Sequence, residues 1–386
     1  MRVRLGSGAW QRLLACATLT IVAFVAGPTA LRPQPSGAAY DPPAGVYPYF
    51  PSSPFLTRIP VPAPVNPNSA AWVANASAIG PFGIAGSLYA YDAPNWREIA
   101  FPIYLAHAGS DTPVRIHCTK RYGGDRVPCN IEGMTVYVDA REVPQNGGLP
   151  ADHPADAHWA LIDEAAGYEY DAWNTQWPPK DGVLTVGWGG RCSLAGNGFT
   201  NASYQGPHWN SGCVGTTSGT PQSLGIVRAK DLLAAAKNGG ALPAALSLVY
   251  GCTGISKKLA DPFLSGGDGH CAGAVPEGTR MYLAMHDGDI DALGIAPIVA
   301  ALLRTLDEDH FGGFIVDSAD GPKPGFGLNV ESDSTYTAFG LPGPWKMFLD
   351  DAGREGLQTF RVPFSGRTAI RLAMPDAVTW DKVRFW

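Results

Sequence analysis

The sequence predicts a mainly β protein: a β-sandwich or jelly-roll-like single domain with about two helical insertions. Three observations predict it. Glycine and proline number 47 and 34 of 386 residues while charged residues are only 16%, the balance of a chain with many tight turns and few long charged helices. Short runs rich in β-branched and aromatic residues recur along the chain, and these are strand signals. Few segments carry the apolar periodicity of a helix.

The elements follow in order. Arg2, Arg4 and Arg12 flank an apolar run, residues 13–27, that is short for a membrane span and has the layout of an export signal. Residues 1–38 are therefore expected to be a signal peptide, with small residues Ser36, Gly37 and Ala38 at the cleavage point. Residues 39–70 form a Pro-rich N-terminal arm. Its aromatics Tyr47, Tyr49, Phe50 and Phe55 predict a strap on the domain surface rather than a free linker. Residues 71–386 show no linker and no repeat, so one β-rich domain is expected. Strands are expected at 103–106, 114–118, 135–138, 160–163, 168–173, 183–188, 247–250, 280–285, 313–317, 327–331, 359–362 and 369–372. The short connection 163–167 makes a hairpin of the fourth and fifth. One helix is expected over 228–237, stopped by Gly239 and Gly240. A second is expected over 297–309, opened by Pro297, with Ile298, Ala301, Leu302, Thr305 and Leu306 on one face.

Charge and cysteines bound the function. The net charge is -6, and the leader removes basic residues, so the mature chain is more acidic still. No basic patch offers a nucleic-acid site. The expected partner is a polysaccharide, with no nucleic acid, no membrane after signal cleavage, and a monomeric chain. Beyond the leader lie Cys118, Cys129, Cys192, Cys213, Cys252 and Cys271, an even set in an exported chain and hence a disulfide framework. Six cysteines allow about 15 pairings, among which sequence alone does not choose; sequential pairing, 118–129, 192–213 and 252–271, is favoured because it closes short local loops. The spacing matches no zinc motif, so no metal is expected there. Asp287, Asp289 and Asp291 alternate like a calcium loop but lack the closing Glu. They read better as a helix start. No cofactor is expected, calcium being the one exception the sequence leaves open.

The chemistry concentrates in residues 156–191. Trp159, Trp173, Trp177 and Trp188 crowd this segment, with Trp209 nearby. Strand alternation puts Glu169, Asp171 and Trp173 on one face of their strand and Tyr168 and Tyr170 on the other; His158 goes with Ala160 and Ile162. Two carboxylates, roughly 6–7 Å apart by strand rise, are what glycosidic cleavage uses. The match to the E-x-D-x-x-E strand of laminarinase-type glycosidases is partial, because Asn174 stands where the third carboxylate belongs. A solvated strand face explains the same carboxylates without chemistry. Alternatively, His158 with Tyr168 or Tyr170 and Arg191 or Arg115 supplies the base and cation of uronate β-elimination. Core packing accounts for two or three tryptophans. Trp188 and Trp209 lie in Gly-rich runs expected to be exposed loops, with Asn197, Asn201, Gln205, His208 and Asn210 as neutral hydrogen-bonding groups. The segment 211–215 resembles part of the L,D-transpeptidase core, but a disulfide to Cys192 explains Cys213 better.

Several segments together resemble a group of exported actinobacterial proteins: NPNSAAWVA from Asn66, AHAGSDTPVRIHC around Asp111, DAHWALIDEAAGYEYDAWN, LGIVRAKDL around Arg228 and ESDSTYTAFG around Tyr336. Their shared pattern, H-x-x-x-I-D…Y-[DE]-x-W, falls on His158, Asp163, Gly167, Tyr170, Asp171 and Trp173, with Ala157 in place of the usual glycine. The resemblance implies export and a single domain. It favours Asp171 over Glu169 and supplies no reaction.

The resulting expectation is a secreted protein that binds and cleaves a polysaccharide. Asp171 is the acid/base or nucleophile, His158 its partner and Glu169 the second carboxylate. Trp173, Trp188 and Tyr170 contact sugar, and Arg191 meets a uronate. A non-catalytic extracellular carbohydrate-binding or surface module would instead bury His158 and Asp171. A cell-wall peptide-modifying enzyme would need Cys213 as a free thiol.

Overall fold

The computed structural model describes residues 49–84, 87–89, 100–120, 129–148, 156–199, 215–254, 271–317, 325–345, 358–361, 368–371 and 374–386. The expected signal peptide, Tyr47, and the segment holding Trp209, His208 and Cys213 lie outside them. The elements begin with α1 (Ser69–Ser77), β1 (Ser87–Tyr89), β2 (Ala100–Phe101), β3 (Ile103–Leu105), β4 (Thr112–Cys118) and β5 (Thr135–Val138). Then come β6 (Trp159–Asp163), β7 (Tyr168–Trp173), β8 (Val183–Val186), β9 (Trp188–Ser193), α2 (Ala229–Asn238) and β10 (Leu246–Tyr250). The last part holds β11 (Arg280–Leu283), α3 (Asp287–Asp291), α4 (Pro297–Leu306), β12 (Gly313–Asp317), β13 (Phe326–Leu328) and β14 (Val330–Glu331). It ends with α5 (Ser334–Thr337), β15 (Gln358–Arg361), β16 (Thr368–Arg371) and β17 (Val383–Phe385).

The architecture is mixed, with more strand than helix. The strands form several small sheets, none closed or curled among the described residues. A four-stranded sheet, β3-β6-β7-β9, lies in the middle. On one face Tyr104, Trp159, Leu161, Tyr170 and Ala172 pack against Val114, Ile116, Val136, Leu184 and Val186 of the β5-β4-β8 sheet. On the other, Ile103, Ala160, Ile162 and Cys192 meet Phe50, Phe55, Leu224, Phe314 and Val316. Phe314 and Val316 belong to the five-stranded sheet β13-β10-β12-β11-β17, whose far face carries α2 and α4. A middle sheet covered on both sides explains why β6 reads as an unbroken apolar run and is buried along its whole length.

The expected hairpin is present: β6 and β7 pair antiparallel with Ala160 opposite Asp171 and Ile162 opposite Glu169. The expected strand 183–188 is two strands in two sheets, β8 beside β4 and β9 beside β7. The chain changes sheet at Gly187, where a Cβ would come within 2.7 Å of the Asn174 Cβ and 3.0 Å of the Trp173 carbonyl. α2 runs one residue past its expected span, with Gly239 left-handed behind it. α4 stops at Leu306, before the expected 309, because Asp307 turns extended and bridges Leu283. α1 falls where no helix was expected. The aspartates at 287, 289 and 291 lie on α3, a helical turn rather than a calcium loop, and Asp289 accepts the His286 N–H at 3.0 Å.

The arm is a strap. Phe50 and Phe55 are fully buried, and Phe55 packs on Phe314 with ring centroids 4.7 Å apart. Cys118–Cys129 and Cys252–Cys271 are bonded as expected. Cys192 is also in a disulfide, with its partner outside the described residues. No helix among the described residues is long and apolar enough to cross a membrane.

Candidate functional site

The middle sheet brings the sequence-derived acids together but seals them. Glu169 and Asp171 share the face of β7 that looks toward the five-stranded sheet, and both are fully buried. The loop at residues 215–223 covers them. Glu169 accepts the Ser223 N–H at 3.1 Å and the Ser223 hydroxyl, while Asp171 Oδ2 accepts the Gln222 N–H at 3.4 Å. Gly215 closes the lid: a Cβ there would lie 2.3 Å from the Gln222 nitrogen and 2.9 Å from Asp171 Oδ2. Only glycine permits so close an approach.

The two carboxyls are neighbours on one face of β7, and Asp171 Oδ1 has no hydrogen-bond partner among the described residues. Two adjoining carboxylates cannot both stay charged in a buried setting, so one keeps a proton. Burial, then the neighbouring Glu169 charge, hold the Asp171 carboxyl well above the usual range. Burial raises Glu169 too, while the two Ser223 donors oppose the rise. The donor count places the negative charge on Glu169 and the proton on Asp171.

His158 joins through one residue. Its Nδ1 lies 2.9 Å from Gln222 Nε2, and the Gln222 backbone reaches Asp171. An amide N–H donating to Nδ1 fixes the neutral Nε2–H tautomer, consistent with burial lowering the imidazole pKa. Phe101 packs edge-on against the ring at 4.9 Å.

The expected sugar-contacting residues divide. Trp188 is not in an exposed loop; it lies in β9, 6% exposed and packed in the core, so it offers no face to a sugar. The Gly-rich run is a strand because Gly189 sits against the Asp171 carbonyl and Ile131, with room for no side chain. Tyr170 is buried on the face opposite Asp171. Trp159 is buried, its indole N–H donating to Glu142 at 3.0 Å. Trp173 is half-buried, its indole N–H on Asp156 and Lys120 Nζ 4.4 Å above the ring. Arg191 stacks on Tyr168 at 4.4 Å.

An open cleft of about 400 Å³ lies at the turn of the same hairpin, lined by Tyr49, Glu164, Tyr168, Ser193, Leu194 and Ala195. Tyr49 donates its hydroxyl to Glu164, and burial together with this carboxylate raises the phenol pKa. Sequence reasoning named Tyr49 for the strap and Tyr168 for elimination, and did not bring them together. The strap crossing the turn is a long-range contact with no local signal. No protein-family model, curated protein or solved structure matches the chain.

Proposed function

We propose that this protein is an exported, non-catalytic glycan-binding module that uses the cleft between the strap and the β6–β7 turn. The observation that carries the reading is the division on one hairpin. The carboxyl pair is sealed and fully buried, while the open cleft combines aromatic rings, a carboxylate and a hydroxyl. Aromatic faces take the apolar faces of sugar rings, and a few placed polar groups take hydroxyls. Glu164 and Ser193 supply those groups, and Arg191 beside Tyr168 extends the surface toward acidic sugars. Export is supported by the leader-like N-terminus and the disulfides. The facing sheets around the middle layer are proposed to be a β-sandwich core to which the helical layer was added.

A second reading, polysaccharide cleavage by Asp171, Glu169 and His158, is favoured by one observation. A carboxyl pair holding one proton beside an imidazole is an acid/base arrangement. One experiment weighs both. The secreted protein is titrated with a glycan panel while reducing ends and unsaturated uronates are followed. Under the binding reading some glycan binds without turnover, and Tyr168→Ala weakens it about tenfold or more, roughly 1.4 kcal/mol, with Asp171→Asn unaffected. Turnover that Asp171→Asn abolishes overturns the binding-only reading and establishes the second. If no glycan binds and none turns over, both fail.

A further inference from the structure

Away from that hairpin, the end of α4 and the start of α3 converge on three ligand-type side chains. Asp287, Asp307 and His310 each bring a ligand atom to within 4.8 Å of the others. Asp307 is fully buried. One of its oxygens accepts the Asp309 N–H at 2.9 Å, whereas Oδ2 has no hydrogen-bond partner among the described residues. A buried acceptor without a donor is costly, so this carboxyl group calls for an occupant. His310 Nε2 lies 3.2 and 3.3 Å from the two Asp287 oxygens. Ligand atoms of a tetrahedral ion with bonds of roughly 2.0–2.2 Å stand about 3.3–3.6 Å apart, so this pair is already close to the edge of such a site.

We infer that Asp287, Asp307 and His310 form a binding site for a divalent transition-metal cation of the zinc class. The donor set carries the choice of metal. One imidazole with carboxylates suits zinc, cobalt or manganese, whereas calcium requires an all-oxygen shell of 6–8 ligands. The Asp-x-Asp-x-Asp run supplies no such shell, since Asp289 caps α3 and Asp291 pairs with Arg304. Arg304 also stands 3.4 Å from Asp287. Outside it, His286 reaches Glu308 at 3.2 Å and Asp309 at 3.1 Å, an exposed set that could bind metal on its own and is the control.

The test is a titration of the chelator-treated full chain with Co²⁺, read by visible d–d absorption and by displacement with Zn²⁺. The expected result is one equivalent bound. Asp307→Asn and His310→Gln should each weaken it about 100-fold or more, beyond the 10–100-fold typical of losing an outer-shell partner, while His286→Gln stays near wild type. Circular dichroism of each metal-free variant checks folding. If Asp307→Asn does not fold, Asp287→Asn replaces it. Absence of stoichiometric binding overturns the inference, as does binding that survives both core variants or is lost in His286→Gln alone.

Discussion

Glu169 and Asp171 differ in role because their donors differ. Glu169 receives a backbone N–H and a hydroxyl from Ser223; Asp171 receives one longer bond from Gln222. The charge therefore rests on Glu169, and hydrogen bonds to a charged group contribute about 1.5–3 kcal/mol. Ser223→Ala, which removes the hydroxyl and keeps the N–H, is expected to destabilise the fold by that amount in urea unfolding at neutral pH. A loss below about 0.5 kcal/mol, the range of ordinary surface substitutions, would contradict the assignment of charge. The residue types were readable in the sequence: alternation put His158 on the Ala160 face and Glu169 on the Asp171 face, and pairing Ala160 with Asp171 made these one face. Their burial was not readable, because the cover comes from Gly215, Gln222 and Ser223, distant in sequence and unremarkable in composition.

At the scale of elements, the strap is structural. Phe55 fills the layer between the middle and five-stranded sheets, stacked with Phe199 at 6.1 Å and tilted on Phe314 at 4.7 Å. Removing a buried aromatic side chain typically costs about 3–5 kcal/mol, so Phe55→Ala should lower the urea midpoint accordingly. Val61, 89% exposed on the same arm, should tolerate Val61→Ser with little change. Equal effects at the two positions would mean the arm does not hold the layers together. The same comparison shows where local signals end. Aromatics in a Pro-rich arm announced a docked strap, and Gly239 announced the end of α2. The split of 183–188 between two sheets was hidden because the Gly-rich run after Gly187 has the composition of a loop, yet it pairs as β9.

For the whole molecule, buried acids set the response to pH. Burial pushes Asp317 up to about 6 and Glu331 to about 7, and holds Asp171 well above the usual range as well. The folded state thus keeps protons that the unfolded chain releases near pH 4. Stability is then greatest near the unfolded carboxyl range and falls as pH rises toward the folded values, by up to about 1.4 kcal/mol per pH unit for each group. His158 acts oppositely: its lowered pKa costs stability as pH falls below the imidazole range. The acids outnumber it, so the thermal midpoint is expected to be higher at pH 5 than at pH 8, with Asp171→Asn flattening the slope. A midpoint that climbs from pH 5 to pH 8 would contradict the buried-acid account.

Short-range rules suffice for the excess of strand over helix, the β6–β7 hairpin, two helices and the side of the strand each acid occupies, because turn chemistry and periodicity act over a few residues; the 118–129 and 252–271 pairs were only favoured among the alternatives, and packing selected them. Tertiary structure alone decided that the middle sheet is covered on both faces, that the Glu169–Asp171 pair is shut away while Tyr49 and Tyr168 border an open cleft, and that Asp287, Asp307 and His310 meet. Each of these depends on which distant segments pack together, and desolvation, which sets both accessibility and charge, exists only once they have.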